Sequence, residues 1–285
     1  MTTSGRSAHL AAQVPPRLRR RPSAVLLDAG NTLLHLDYEL LAGMLRSRAA
    51  AALGAGATEA LTLTPETVRR AEWRARVRLD AFLGPTPAAS ASNRAQGRGE
   101  TLPATGVGST ESSGTFVRYM TFLCEEAGLV LPPDVLSELL EELGDYQQAH
   151  NLWSHAHPFA RRVLQELKDE GCRLAVVSNA AGDVADLLAR HDLASLFDAI
   201  IDSSLVQVEK PDPAIFQLAL RKLNTPPEAA VHIGDLPAVD VAGARAAGIE
   251  AVLIDPLGSW SDVDCVRVRD LTALPELVRR APRPM

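Results

Sequence analysis

Four short stretches of the 285-residue chain carry side chains that could act on a charged substrate. The first is Asp28-Ala29-Gly30-Asn31-Thr32-Leu33, with its carboxylate at the end of the apolar run Ala24-Val25-Leu26-Leu27. Taken alone, it reads equally well as a buried strand entering an ordinary Asp/Gly/Asn turn. The second, Val176-Val177-Ser178-Asn179, closes another apolar run with a hydroxyl just ahead of a helix start. That position suits a helix cap or an anion held at a helix N-terminus. The third is Glu209-Lys210-Pro211-Asp212-Pro213. Three lysines stand against 26 arginines in the chain, and Lys210 sits in the turn before a helix. A compact ammonium there would serve as a point charge for a phosphate. The fourth, His232-Ile233-Gly234-Asp235-Leu236-Pro237-Ala238-Val239-Asp240, puts one carboxylate at a strand end and a second five residues on. Two carboxylates plus substrate oxygens suit a hard cation such as Mg²⁺, while Asp240 could equally oppose a helix macrodipole.

The elements that must position these groups alternate in type. Apolar runs at 24–28, 173–178, 198–201, 230–234 and 250–254 read as strands buried on both faces. Between them, 159–170, 184–191, 213–223 and 239–247 have helical period. Asp212 and Pro213 open one of these helices, and Gly171 and Gly248 each follow one. This alternation predicts an α/β fold with a doubly wound parallel sheet. Such sheets bind ligands beyond the carboxyl ends of their strands, where Asp28, Ser178 and Asp235 all fall. Residues 35–157 read instead as helices, at 38–53, 65–82, 115–127 and 133–148. Residues 84–114 are rich in Ala, Ser, Thr, Gly and Pro and predict a disordered loop.

Composition narrows the function classes. Cys124, Cys172 and Cys265 are too few and too far apart for a disulfide framework or a clustered zinc site, and they fit a reducing, cytoplasmic setting. No apolar run is long enough to span a membrane. The net charge of -6 divides unevenly. Residues 1–22 hold five arginines and no acid, and the remainder carries a net charge of -11. An acidic body argues against nucleic-acid binding and leaves a small molecule as the expected partner. The basic segment reads as a disordered tail, although its Arg-rich, acid-free composition is also that of a transit peptide. His150, His155 and His157 read as polar linker residues rather than a metal site.

In this order, the four stretches resemble the haloacid dehalogenase-like hydrolase superfamily. The run Glu209–Phe216 and the Gly234-Asp235 to Asp240 spacing carry most of the likeness, and 243–248 looks like the helix that follows the metal site there. The resemblance implies an α/β hydrolase core at 23–34 and 158–285, with an all-helical cap inserted at 35–157. It implies that Asp28 is a nucleophile forming an aspartyl intermediate, with Thr32 orienting its loop. Ser178 and the backbone amide of Asn179 would hold the transferring group, and Lys210 would neutralise it. Mg²⁺ would be bound by Asp28, the Gly30 carbonyl and Asp235, with Asp240 at the same metal site. A phosphatase-like hydrolase of a small phosphorylated metabolite is the expected function.

One position departs from that pattern. Most phosphatases of this superfamily carry an acid two residues after the nucleophile, and here it is Gly30. Loss of a general acid costs ~10²–10⁴ in rate. A metal-independent 2-haloacid dehalogenase needs no such acid, and Arg46, Arg48, Arg69 or Arg70 could then meet a substrate carboxylate. The retained Asp235 and Asp240 argue against that alternative. A phosphonate hydrolase would need a cap lysine, and 35–157 has none. His35 and Asp37 are the nearest groups that could replace the acid. A non-catalytic binding protein on the same fold is the alternative from a different class.

Overall fold

The computed structural model describes residues 18–54, 62–84 and 113–283. The expected loop at 84–114 lies almost wholly outside them, and so does the tail up to residue 17. Among the described residues, six parallel strands form one sheet in the order β5-β4-β1-β6-β7-β8. These are β1 (Ala24–Leu27), β4 (Arg173–Ser178), β5 (Ala199–Asp202), β6 (Ala230–Gly234), β7 (Glu250–Ile254) and β8 (Val266–Val268). β1 lies at the centre, with Leu27 opposite Val176 of β4 and Ile233 of β6. This register brings the carboxyl ends of three adjacent strands level, so Asp28, Ser178 and Asp235 emerge side by side. Successive residues of β1 point to opposite faces. Val25 and Leu27 join one apolar cluster, whereas Ala24 and Leu26 join another.

Helices cover both faces. They are α5 (Ala160–Asp169), α6 (Val184–Arg190), the single turn α7 (Ser203–Val206), α8 (Pro213–Lys222), α9 (Ala242–Ala246) and α10 (Leu274–Arg280). α8 starts as its sequence predicts, with the Asp212 carboxylate accepting from the Ala214 amide at 2.8 Å and Pro213 in the first turn. Gly243 of α9 allows α8 to pack close: a Cβ there would lie 2.5 Å from Phe216 Cε2 and 3.0 Å from Pro211 Cα.

The chain leaves and re-enters this core through a two-stranded antiparallel ribbon. β2 (Leu34–His35) pairs with β3 (His155–Ala156), Leu34 facing Ala156. Between them lie α1 (Tyr38–Leu53), α2 (Pro65–Leu83), α3 (Ser113–Glu126) and α4 (Pro133–His150). α2 begins at a reciprocal cap in which the Thr64 hydroxyl accepts from the Thr67 amide and the Thr67 hydroxyl accepts from the Thr64 amide. The four helices close around their own apolar centre, which includes Leu41, Leu45, Val68, Met120 and Leu139. Val239 of the core inserts into that centre.

Three features differ from the sequence reading. Residues 18–22 are not a free tail: Leu18 is buried in the core, and Arg21 pairs with Glu170 and donates its amide to Pro282 O at 2.7 Å. An apolar side chain and an ion-pair partner suffice to dock so short a segment. β2, β3 and β8 are too short to show an apolar period. The expected helix at 239–247 opens instead as a wide π-type turn over Pro237–Val241, which directs Asp240 back toward the sheet. Among the described residues, no helix is long and apolar enough to cross a membrane.

Candidate active site

Three strand ends and the loop before α8 bring four charged groups together. The Lys210 ammonium donates to Asp28 Oδ1 at 2.5 Å and to Asp240 Oδ1 at 2.8 Å, and all three side chains are buried. Asp240 is saturated. Its Oδ1 also accepts from His232 Nε2 at 2.9 Å, while its Oδ2 accepts from the amides of Asp235 and Leu236, each at 3.1 Å. This needs a glycine at 234, because a Cβ there would overlap the Asp240 carboxyl. Asp240 therefore fastens the Asp235 loop to Lys210 from behind.

Lys210 is itself placed by Asn179. The Asn179 side chain accepts from the Lys210 amide at 2.7 Å and donates to the Lys210 carbonyl at 3.0 Å. The β4 end and the pre-α8 loop are thus clamped at two points. Ser178, Asn179, Gly30, Asp28, Lys210, Asp235 and Asp240 all line one cavity of about 150 Å³. Thr32 does not line it: its buried hydroxyl has no hydrogen-bond partner, and its amide closes the turn onto Ala29 O at 3.3 Å.

The opposite wall comes from the helical insertion, through residues the sequence reading passed over. Arg76 of α2 donates from Nη1 to Asp235 Oδ2 at 3.0 Å. Its Nε lies 2.7 Å from Glu72 Oε1, one helical turn back, and its Nη2 donates to Glu72 Oε2 at 3.3 Å. The Tyr38 hydroxyl donates to Glu72 at 3.1 Å, and the Tyr119 hydroxyl donates to it as well. Tyr119 also receives Asn31 Nδ2 at 3.4 Å, and Asn31 Oδ1 accepts from Trp153 Nε1 at 2.9 Å. A continuous polar chain therefore runs from Asp235 across the roof of the cavity to the turn after Asp28.

The other candidates are engaged elsewhere. Arg46 donates to Leu63 O, Arg48 pairs with Glu138 and Glu142, and Arg69 and Arg70 pair with Glu66. Asp37 caps α1 by accepting from the Leu40 amide at 2.9 Å. His35 is stacked between Tyr38 and His155, so neither it nor Asp37 reaches the cavity.

The charges do not balance. Among the described residues, the cations paired with Asp28, Asp235, Asp240 and Glu72 are Lys210 and Arg76, and burial lowers the His232 pKa, favouring its neutral ring. Burial pushes the Asp28 carboxyl up to about 8, against the pull of Lys210 and with the push of Asp240 and Asp235. Burial likewise raises Asp235 to about 6, although Arg76 pulls it down. Burial would lower the Lys210 ammonium, but Asp240 and Asp28 together hold it above its ordinary value. Asp240 stays well below the usual carboxylate range: burial opposes ionisation, and Lys210 and His232 overcome it. With all four acids ionised, two negative charges would go uncompensated among hard oxygen donors, and a divalent cation would supply the balance that keeps Asp28 and Asp235 ionised. Among the described residues, no three metal-ligating side chains converge on one point. A cation here would thus complete its shell with the Gly30 carbonyl, water and substrate oxygens.

A second polar contact docks α2 on the core, the Asp80 carboxylate accepting from the Ala238 amide at 2.6 Å. Burial raises the Asp80 carboxyl to about 6, that hydrogen bond pulling against it and the Asp240 charge adding to it. Below about pH 4 the group is protonated in both folded and unfolded chains. Between about pH 4 and 6 the unfolded chain ionises while the folded chain holds its proton, so stability falls as pH rises across that window and levels off above it. Asp80→Asn keeps an acceptor without the charge. In urea melts it should match wild type near pH 4 and exceed it by ~1 kcal/mol near pH 8, a figure already reduced for partial exposure. An equal difference at both pH values would refute this account.

The family model for haloacid dehalogenase-like hydrolases matches residues 22–248, and the chain belongs to that family. A phosphoserine phosphatase of Thermus thermophilus is 36% identical over 132 residues, 46% of this chain and 51% of that protein. The rhythmically expressed gene 2 protein of Drosophila melanogaster is 33% identical over 135 residues, 45% of this chain and 52% of that one. The chain thus spans about half the length of these curated relatives. The crystal structure of a HAD phosphatase from Thermococcus onnurineus superimposes with a TM-score of 0.51 at 22% identity, covering 92% of this chain and all of that one. That last likeness is one of fold.

Proposed function

We propose that this chain is a Mg²⁺-dependent, phosphatase-like hydrolase of a small phosphorylated metabolite, with α1–α4 as the cap over its site. The observation that carries this reading is the Lys210 ammonium bridging Asp28 and Asp240 inside a cavity formed at three strand ends. An oxygen of Asp28 attacks phosphorus, the bond from phosphorus to the leaving oxygen breaks, and an aspartyl phosphate results. Water then attacks that phosphorus and returns the Asp28 carboxylate. Lys210 holds Asp28 in place and offsets charge on the transferring group. Ser178 and the Asn179 amide stand on the wall where the phosphoryl oxygens would sit, and Thr32 shapes the turn behind the nucleophile. Asp240 is a positioning residue, since all its acceptor capacity goes to Lys210, His232 and the loop. When bound at Asp28, Asp235 and the Gly30 carbonyl, the cation would neutralise nucleophile and phosphoryl charge together.

Gly30 supplies no acid, so the leaving group must depart without a proton. Acyl and aryl phosphates meet that condition, and a cavity of about 150 Å³ favours a compact substrate. The test is turnover of acetyl phosphate and p-nitrophenyl phosphate, with Mg²⁺ and with EDTA, beside Asp28→Asn. Mg²⁺-dependent turnover is expected, falling by at least ~10³-fold in the variant. If neither ester turns over with Mg²⁺, the phosphatase reading is wrong. Halide release from 2-haloacids without metal would then establish the dehalogenase alternative, and its absence would leave a binding role.

A further inference from the structure

We propose that Arg76 and the divalent cation compete for Asp235, making the Arg76–Asp235 pair a latch between cap and core that the cation opens. This rests on the Mg²⁺ reading above. Asp235 joins two partners that cannot share it easily. One of its oxygens accepts from Arg76 at 3.0 Å, in a contact where both side chains are almost fully buried. A dication held by the same carboxylate would stand beside a guanidinium with little water between them, and like charges repel strongly in such surroundings.

The local structure gives Arg76 somewhere to go. Glu72 already holds it in an ion pair, with Nη2 donating to Oε2 and Nε 2.7 Å from Oε1 but not hydrogen-bonded, and Nη1 donates to Asp235. Glu72 is in turn fixed by the Tyr38 and Tyr119 hydroxyls, from α1 and α3. When Arg76 lets go of Asp235, it keeps its ion pair with Glu72, so no buried charge is stranded. Asp235 in exchange gains a cation. The charge lost from one side of the carboxylate is replaced on the other, and what changes is the bond between cap and core. The released Nη1 faces the cavity that Arg76 already lines, where it can meet an anionic oxygen of the substrate. Opening the latch leaves α2 its Asp80 contact to the Ala238 amide of this loop.

The experiment is Mn²⁺ binding to the full chain, followed by electron paramagnetic resonance, for wild type, Arg76→Gln and Arg76→Lys. Circular dichroism checks that each is folded. Amide hydrogen exchange across residues 65–83 is measured alongside, with and without saturating Mn²⁺. Arg76→Gln should bind Mn²⁺ at least tenfold more tightly than wild type, with Arg76→Lys between them. In wild type, Mn²⁺ should speed exchange across α2, and in Arg76→Gln the metal should leave it unchanged. If wild type binds Mn²⁺ and Arg76→Gln binds it no more tightly, the latch is refuted while the metal site stands. Failure of both proteins to bind Mn²⁺ would instead remove the Mg²⁺ reading, and the latch with it. Should Arg76→Gln not fold, wild-type exchange decides: α2 unmoved or protected by Mn²⁺ overturns the proposal.

Discussion

Replacing Lys210 by methionine should cut kcat for acetyl phosphate by ~10²–10³-fold and destabilise the fold by ~3–5 kcal/mol. Methionine nearly keeps the volume and removes the charge, so packing is not what the variant tests. In wild type the ammonium is shared between Asp28 and Asp240, at 2.5 and 2.8 Å. Without it, two buried carboxylates face one another across an apolar stem. Asp28 already stands at about 8 because of burial, with Lys210 the strongest influence holding it down. Its carboxyl would shift further toward the neutral form, which is a poor nucleophile. Asp240 would keep His232 and two amides, so the Asp235 loop should survive in the folded fraction. The loss should therefore fall on kcat more than on KM, and urea melts should show the lost stability separately. Lys210→Arg should not rescue turnover, because a planar fork cannot place one compact charge between two oxygens. A methionine variant with wild-type kcat would end the role assigned to Lys210.

Much of this site could be read from residue order because strand ends are legible. Apolar runs that stop at Asp28, Ser178 and just before Asp235 mark the carboxyl edge of a parallel sheet, and adjacency of β4, β1 and β6 does the rest. Lys210 was visible for a statistical reason, as a rare lysine among arginines. The far wall was not legible for the converse reason. Arg76 is one of 26 arginines, and Glu72 and Arg76 at spacing i,i+4 look like any solvated helix pair. Only packing shows that this pair is buried and aimed at Asp235. One signal was available: in α2, Glu72 and Arg76 share a face with Val68 and Leu79, an apolar stripe that must point inward. Tyr119 was hidden differently, since its partners lie 47 and 88 residues away in sequence. The π-type turn at Pro237–Val241 defeated the helical period because its residues still look apolar and helix-compatible.

Gly30→Asp should raise turnover of simple alkyl phosphates by ~10²-fold or more while leaving acetyl phosphate nearly unchanged. The position has room for the side chain. A Cβ at Gly30 would sit 3.6 Å from Trp153 Cδ1 and Nε1, an ordinary contact, and its φ is not in the left-handed region that only glycine favours. An acid two residues beyond Asp28 could protonate a departing alkoxide, which is a poor leaving group without a proton. Acetate departs readily, so the same acid gives it little. The selectivity of the gain is the diagnostic quantity: equal gains on both esters would mean that the variant altered binding or Asp28, and no gain on alkyl esters would mean that the missing acid is not what limits them. The new carboxylate also has a predictable drawback. It adds a negative charge beside Asp28, whose carboxyl already stands at about 8, so Asp28 would become harder to ionise in the absence of metal. The variant should accordingly bind Mg²⁺ more tightly and need less of it for half-maximal rate, and it should lose more stability than wild type when EDTA is added. With glycine at 30, Asp28 is spared a further acid beside those of Asp235 and Asp240, which already push its carboxyl up.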